Sequence, residues 1–171
     1  MTLIEPCCAP KHVSALIDRI GEGGTAMWHG YGDLSLSELL PAILQRYGET
    51  ELLLVAPRLP DVAAEAVAWC MRRQRMRADG LGKMHYVGHM TLVTDLTEKK
   101  SPAASLWLKD NPFGDRLSLR NVQQNDTAIV LPDIAFVGNM NMAYGGHFTA
   151  MATKNARTVD ALRSIYLRLT R

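Results

Sequence analysis

Four short runs limit what this chain can fold into: ELLLVAP at residues 51 to 57, HMTLVTDL at 89 to 96, TAIVL at 127 to 131 and IAFVG at 134 to 138. Each is rich in Leu, Ile and Val and lacks the polar alternation of a strand with one wet face, so each reads as a strand covered on both sides. Helical segments lie between them. Asp61 can cap a helix through VAAEAVAWCMRRQ, and Ser101-Pro102 can open another through ASLWLK, because proline suits the first helical position, where no amide donor is needed. RLSLRNV and HFTAMAT add two further strand candidates, Pro132-Asp133 is a tight joint between TAIVL and IAFVG, and a closing helix is predicted from Thr158 to Leu169. This order predicts an α/β fold, a mixed β-sheet flanked by helices on both faces.

The first fifty residues carry the same grammar more faintly. Val13, Leu16, Ile17 and Ile20 fall at helical spacing, and GEGG breaks that helix before a short strand around TAMWH, residues 25 to 29. A second helix has Ser35 and Glu38 at capping-box spacing, one apolar face from Leu36 to Tyr47, and Gly48 as its stop. With 171 residues, 47% of them hydrophobic and 21% charged, the chain is long enough for one domain with a sizeable core. We therefore expect a flexible tail over residues 1–12 and a single domain over 13–171.

A formal charge of +2 is too small to announce nucleic-acid binding by itself. No apolar stretch approaches the roughly 20 residues of a membrane helix, and MTLIEPCCAPKH lacks the order of a signal peptide, so a cytoplasmic, membrane-free protein is expected. The three cysteines give neither CxxC spacing nor an even disulfide framework: Cys7 and Cys8 sit in the Pro-flanked tail, and Cys70 lies in a helix as a buried thiol.

The segment IAFVGNMNMAYGGHF, residues 134 to 148, is where chemistry would collect, since sites in such sheets gather at strand ends. A buried strand runs into Gly138-Asn139-Met140-Asn141, and a Gly-Gly pair then delivers His147. From about Glu51 onward, this order of elements with its Gly-Asn turn resembles a single repeat of the phospholipase D-like family, which includes small single-repeat nucleases. That family carries H-x-K, four residues, D, six residues, G-S-x-N. Its His attacks phosphorus, and its Lys and Asn hold the phosphate oxygens. Aligned without a gap, Gly138 and Asn141 match the Gly and Asn, while Asn139 replaces the Ser. Gln124 stands at the His position, Asp126 at the Lys position and Leu131 at the Asp position, with Asp133 close by only after a register shift. A carboxamide has no nucleophilic nitrogen, and a carboxylate where a cation should cradle phosphate repels the substrate.

The other residues that could carry chemistry are weaker. His29, His85, His89 and His147 could meet Asp95 or Asp126 at strand ends, but their spacing does not ask for a metal, and we expect neither metal nor cofactor. Arg72, Arg73 and Arg75, in the run MRRQRMR, are nucleic-acid candidates if they form a phosphate-contacting patch, although a solvated helix face is the plainer reading. Trp28, Trp69 and Trp107 are too widely spaced to suggest a stacking platform and read as core or interface anchors.

The expectation is a phospholipase D-like domain with a decayed catalytic signature, acting as a binding or assembly module. Its ligand-binding candidates are Gln124, Asp126, Gly138, Asn139, Asn141 and His147, and its partners a phosphate-containing ligand or nucleic acid. Because single-repeat members of the family build their site from two chains, the resemblance implies a homodimer. The alternative is a re-equipped phosphodiesterase or nuclease in which His147 is nucleophile or general acid and Asn141 positions phosphate.

Overall fold

The computed structural model describes residues 2–4, 17–31, 40, 50–72, 87–122, 125–139 and 147–169. Their centre is one eight-stranded mixed sheet: β1 (Thr2–Ile4), β2 (Thr25–Tyr31), β3 (Thr50–Ala56), β4 (Val87–Thr94), β5 (Leu117–Asn121), β6 (Thr127–Val130), β7 (Ala135–Gly138) and β8 (His147–Thr153). The spatial order is β1-β2-β8-β7-β6-β3-β4-β5. Strands β3, β4 and β5 run parallel, and the predicted hairpin joins β6 to β7 about Pro132-Asp133, with the Leu131 amide donating to the Ile134 carbonyl at 2.8 Å. Only β6 and β8 run against the other six strands. The carboxyl ends of six strands and the starts of β6 and β8 therefore share one end of the sheet.

The apolar runs are continuous because both faces are covered. On one face Leu52, Leu54, Met90, Leu92, Ile129 and Phe136 pack with Ala63, Val67 and Cys70 of helix α1 (Asp61–Met71) and Ala104 of helix α2 (Pro102–Lys109). On the other, Leu53, Val55, Val93, Ala128, Val130 and Ala135 pack with Val159 and Tyr166 of helix α3 (Ala156–Arg168). The period of two along each strand sorts these residues between the two cores. Cys70 is the buried thiol the sequence suggested, and desolvation pushes its pKa up to about 12.

Several boundaries differ from expectation for identifiable reasons. Asp61 does not cap α1. Pro60, locked near φ −64° in extended backbone, takes the N-cap position, and Asp61 lies in the first helical turn, where a carboxylate suits the positive end of the helix dipole. α3 opens earlier than Thr158 because the Asn155 side chain accepts the Thr158 amide at 3.1 Å. Within the expected tail, Thr2–Ile4 is edge strand β1, parallel to β2, while residues 5–12 lie outside the described residues. Of the two N-terminal helices, Ile17–Ile20 and Leu40 fall among the described residues; Ile17–Arg19 and Leu40 are helical, Ile20 is a bend just after the helix, and Ile17 and Leu40 are fully buried.

Candidate functional site

The register brings part of the quoted segment together at the shared strand end. Gly138 is the last residue of β7 and pairs with Thr127 on one side and Ala150 on the other. Asp126 and Asn139 are therefore each one residue beyond the Thr127–Gly138 pair. His147 opens β8 opposite Tyr31, two residues before Thr149, or roughly 7 Å along the strand. Gln124 and Asn141 lie outside the described residues.

Gly138 and Asn139 both have local structural tasks here. A Cβ built on Gly138 would overlap the Thr149 carbonyl oxygen and stand 2.7 Å from the Ala150 Cα, so the approach of β8 to β7 requires glycine. Asn139 continues the ladder beyond the strand. Its amide donates to the Thr149 carbonyl at 3.1 Å, and its side-chain Oδ1 accepts the Thr149 amide at 2.6 Å. The carboxamide oxygen thus takes the place of a backbone acceptor, a role for which Asn is well suited.

Asp126 is exposed, and its charge, second to burial, raises the pKa of Tyr166, which is 4% exposed. Both effects disfavour the phenolate, so Tyr166 stays a neutral hydroxyl here. Asp133 sits in the turn at the other end of the β6–β7 hairpin, and Leu131 is fully buried. Neither can serve as the acid of the family motif at the Asn139 end.

Among the described histidines, two have adjoining backbones and the third lies apart. His29 pairs with Thr149 across β2 and β8, which places its backbone diagonal to His147. His89 lies towards the opposite end of the sheet, its Nε2 3.1 Å from the Ser118 hydroxyl, and His85 is outside the described residues. Asp95 follows β4 and is engaged. The Lys100 ammonium at 2.7 Å, then the Thr97 side chain and amide, hold its carboxyl down at about 2. Among the described residues, no three His, Cys, Asp or Glu side chains could jointly hold a metal ion, and no helix is long and apolar enough to cross a membrane.

Arg72 is the C-cap of α1 and exposed, while Arg73 and Arg75 lie outside the described residues. A cleft of about 490 Å³ brings Arg72 to Trp107, Pro112, Phe113 and Arg116, with Ala68 and Met71 behind it. Trp107 and Phe113 form an edge-to-face pair, ring centroids 5.5 Å apart at 83°. Sequence reasoning missed this grouping because it depends on α2 packing beside α1.

No family profile matches the chain, and no curated protein does. Solved structures do. NucT from Helicobacter pylori superposes with a TM-score of 0.53 at 12% identity, over 85% of this chain and 95% of that one. Nuc from Salmonella typhimurium, a phospholipase D family member, gives 0.50 at 14% identity over 86% and 97%. TrmBL2, an archaeal chromatin protein that binds DNA, gives 0.50 at 13% identity over 92% of this chain and 57% of its own length. The chain has the phospholipase D-like α/β fold.

Proposed function

We propose that this chain is a non-catalytic phospholipase D-like domain acting as a binding or assembly module, a homodimer whose strand-end surface holds a degenerate phosphate pocket. The observation that carries this reading is the use made of Gly138 and Asn139. Both are accounted for by the approach of β8 and by the Thr149 backbone, with no ligand needed to explain them. Asp126 adds to it, because an exposed carboxylate where the family places a phosphate-holding lysine opposes an anionic substrate. Gln124, Asp126, Gly138, Asn139, Asn141 and His147 remain the residues proposed to line the pocket.

A self-complementary contact is the commonest way for a domain to pair with itself, and the strand-end surface is the one we propose for it. Light scattering on the full chain at micromolar concentration tests this: a dimer mass is expected, and monomer alone overturns the assembly reading. The phosphodiesterase alternative has one supporting observation, the start of β8 at His147 on the same sheet end as Asn139. NucT and Nuc share the fold, and a nuclease reading of this chain would require His147 to do the work that Gln124 cannot.

A further inference from the structure

The cleft between α1 and α2 lies at the end of the sheet away from Asn139. Arg116 fixes its position there, donating from Nη2 to the Val87 carbonyl at 2.6 Å and from Nε to the Gly88 carbonyl at 3.3 Å, at the first two residues of β4. The strand-end surface is at the far end of that strand, roughly 23 Å away at about 3.3 Å per residue. We propose that this cleft is a second binding site, for a nucleotide unit: a base against Trp107 and Phe113, and its phosphate against Arg72.

The chemistry of the walls selects that class. The described lining residues include the exposed Arg72 guanidinium at the rim and no acid, which suits an anion there. Two half-buried aromatic rings and Pro112 supply an apolar, flat-faced wall that a small inorganic anion would not use. In a perpendicular pair, one ring's edge meets one face of the other, so the contact between the rings uses only one ring face. Arg116 is held by the Val87 and Gly88 carbonyls, while Arg72 is exposed on the rim and can close on a phosphate. A cationic rim beside aromatic rings is how proteins hold single-stranded nucleic acid without reading sequence. The volume suits one base and its sugar phosphate, and pockets for small ligands begin at about 300 Å³. A free nucleotide and one residue of a single strand present the same chemistry.

The test titrates the full chain with three probes: end-labelled oligothymidylate by anisotropy, and thymidine monophosphate and inorganic phosphate as competitors. Salt-sensitive micromolar binding of the oligomer is expected, and it should weaken at least fivefold in Arg72→Gln and in Trp107→Leu, while Arg168→Gln, an equal loss of charge on α3, changes it less than twofold. Competition by the monophosphate identifies a pocket sufficient for one nucleotide, and binding of the oligomer alone identifies a strand-binding cleft. Either result supports the site. Should Trp107→Leu fail to fold, a Trp28→Phe, Trp69→Phe variant leaves Trp107 as sole reporter, and its fluorescence must change on titration. The proposal is overturned by no binding, by equal losses in Arg72→Gln and Arg168→Gln, or by competition from inorganic phosphate as strong as from the monophosphate. None of these outcomes bears on the dimer, which light scattering tests separately.

Discussion

Gly138 and Thr149 approach so closely across β7 and β8 that no side chain fits at residue 138: a Cβ there would stand 2.9 Å from the Thr149 carbonyl carbon and closer still to its oxygen. The glycine that aligns with the phospholipase D-like motif is thereby explained by sheet geometry. Gly138→Ala should destabilise the fold by about 1–3 kcal/mol, the usual range for forcing atoms into a packed site. The urea midpoint should drop in proportion, and an unchanged midpoint would show that β8 can move aside.

Asn139 should behave as a backbone substitute. Removing its side-chain oxygen in Asn139→Ala leaves the Thr149 amide without that acceptor, at a cost of about 1 kcal/mol. Asn139→Asp keeps an oxygen at the same place and should recover most of the loss. Equal melting temperatures for the alanine variant and the wild type would contradict this role.

Asp95 predicts a specific acid response. Its folded pKa, at about 2, lies below the ordinary aspartate value of about 4, so its contribution is fully present above pH 4 and is lost as pH falls through 2. Asp95→Asn cannot pair with Lys100 as a charge. The stability gap between wild type and Asp95→Asn, followed by urea melts from pH 5 to pH 2, should therefore narrow as the pH drops. A gap independent of pH would assign Asp95 no ionic role.

Cys70 should be inert in the folded protein, since a buried thiol with its pKa near 12 carries almost no thiolate at neutral pH. Alkylation at pH 8 mapped by mass spectrometry should leave Cys70 unmodified until denaturant is added. Rapid native labelling of Cys70 would show that α1 opens from the sheet.

The sheet was legible where the local signal and the tertiary demand agree. β3, β4, β6 and β7 are short branched apolar runs, and their place between two helical layers requires that composition. β1 was not legible, because three residues beside a Pro-flanked segment are too short a run to read as a strand, even with β-branched Thr2 and Ile4, and they pair through the ladder that β2 offers. The start of α1 was misread by one residue because Pro60 and Asp61 both suit a helix entrance, and the fixed φ of proline placed it in the extended cap position. At the strand end, Gly138 and Asn139 were legible as a turn and a motif fragment, but their bond to Thr149 depends on β8 returning beside β7. The cleft at Arg72 was illegible for the same kind of reason, since Trp107 and Phe113 reach it only when α2 and the turn after it pack against α1.

The central claim, that the strand-end motif no longer supports phosphoryl transfer, is tested most directly by turnover of bis-p-nitrophenyl phosphate and of single-stranded DNA by the purified full chain, with and without chelator, beside His147→Ala. The account predicts no turnover above the buffer rate in either protein. Turnover by the wild type that is abolished in His147→Ala would contradict it and make His147 the reacting group.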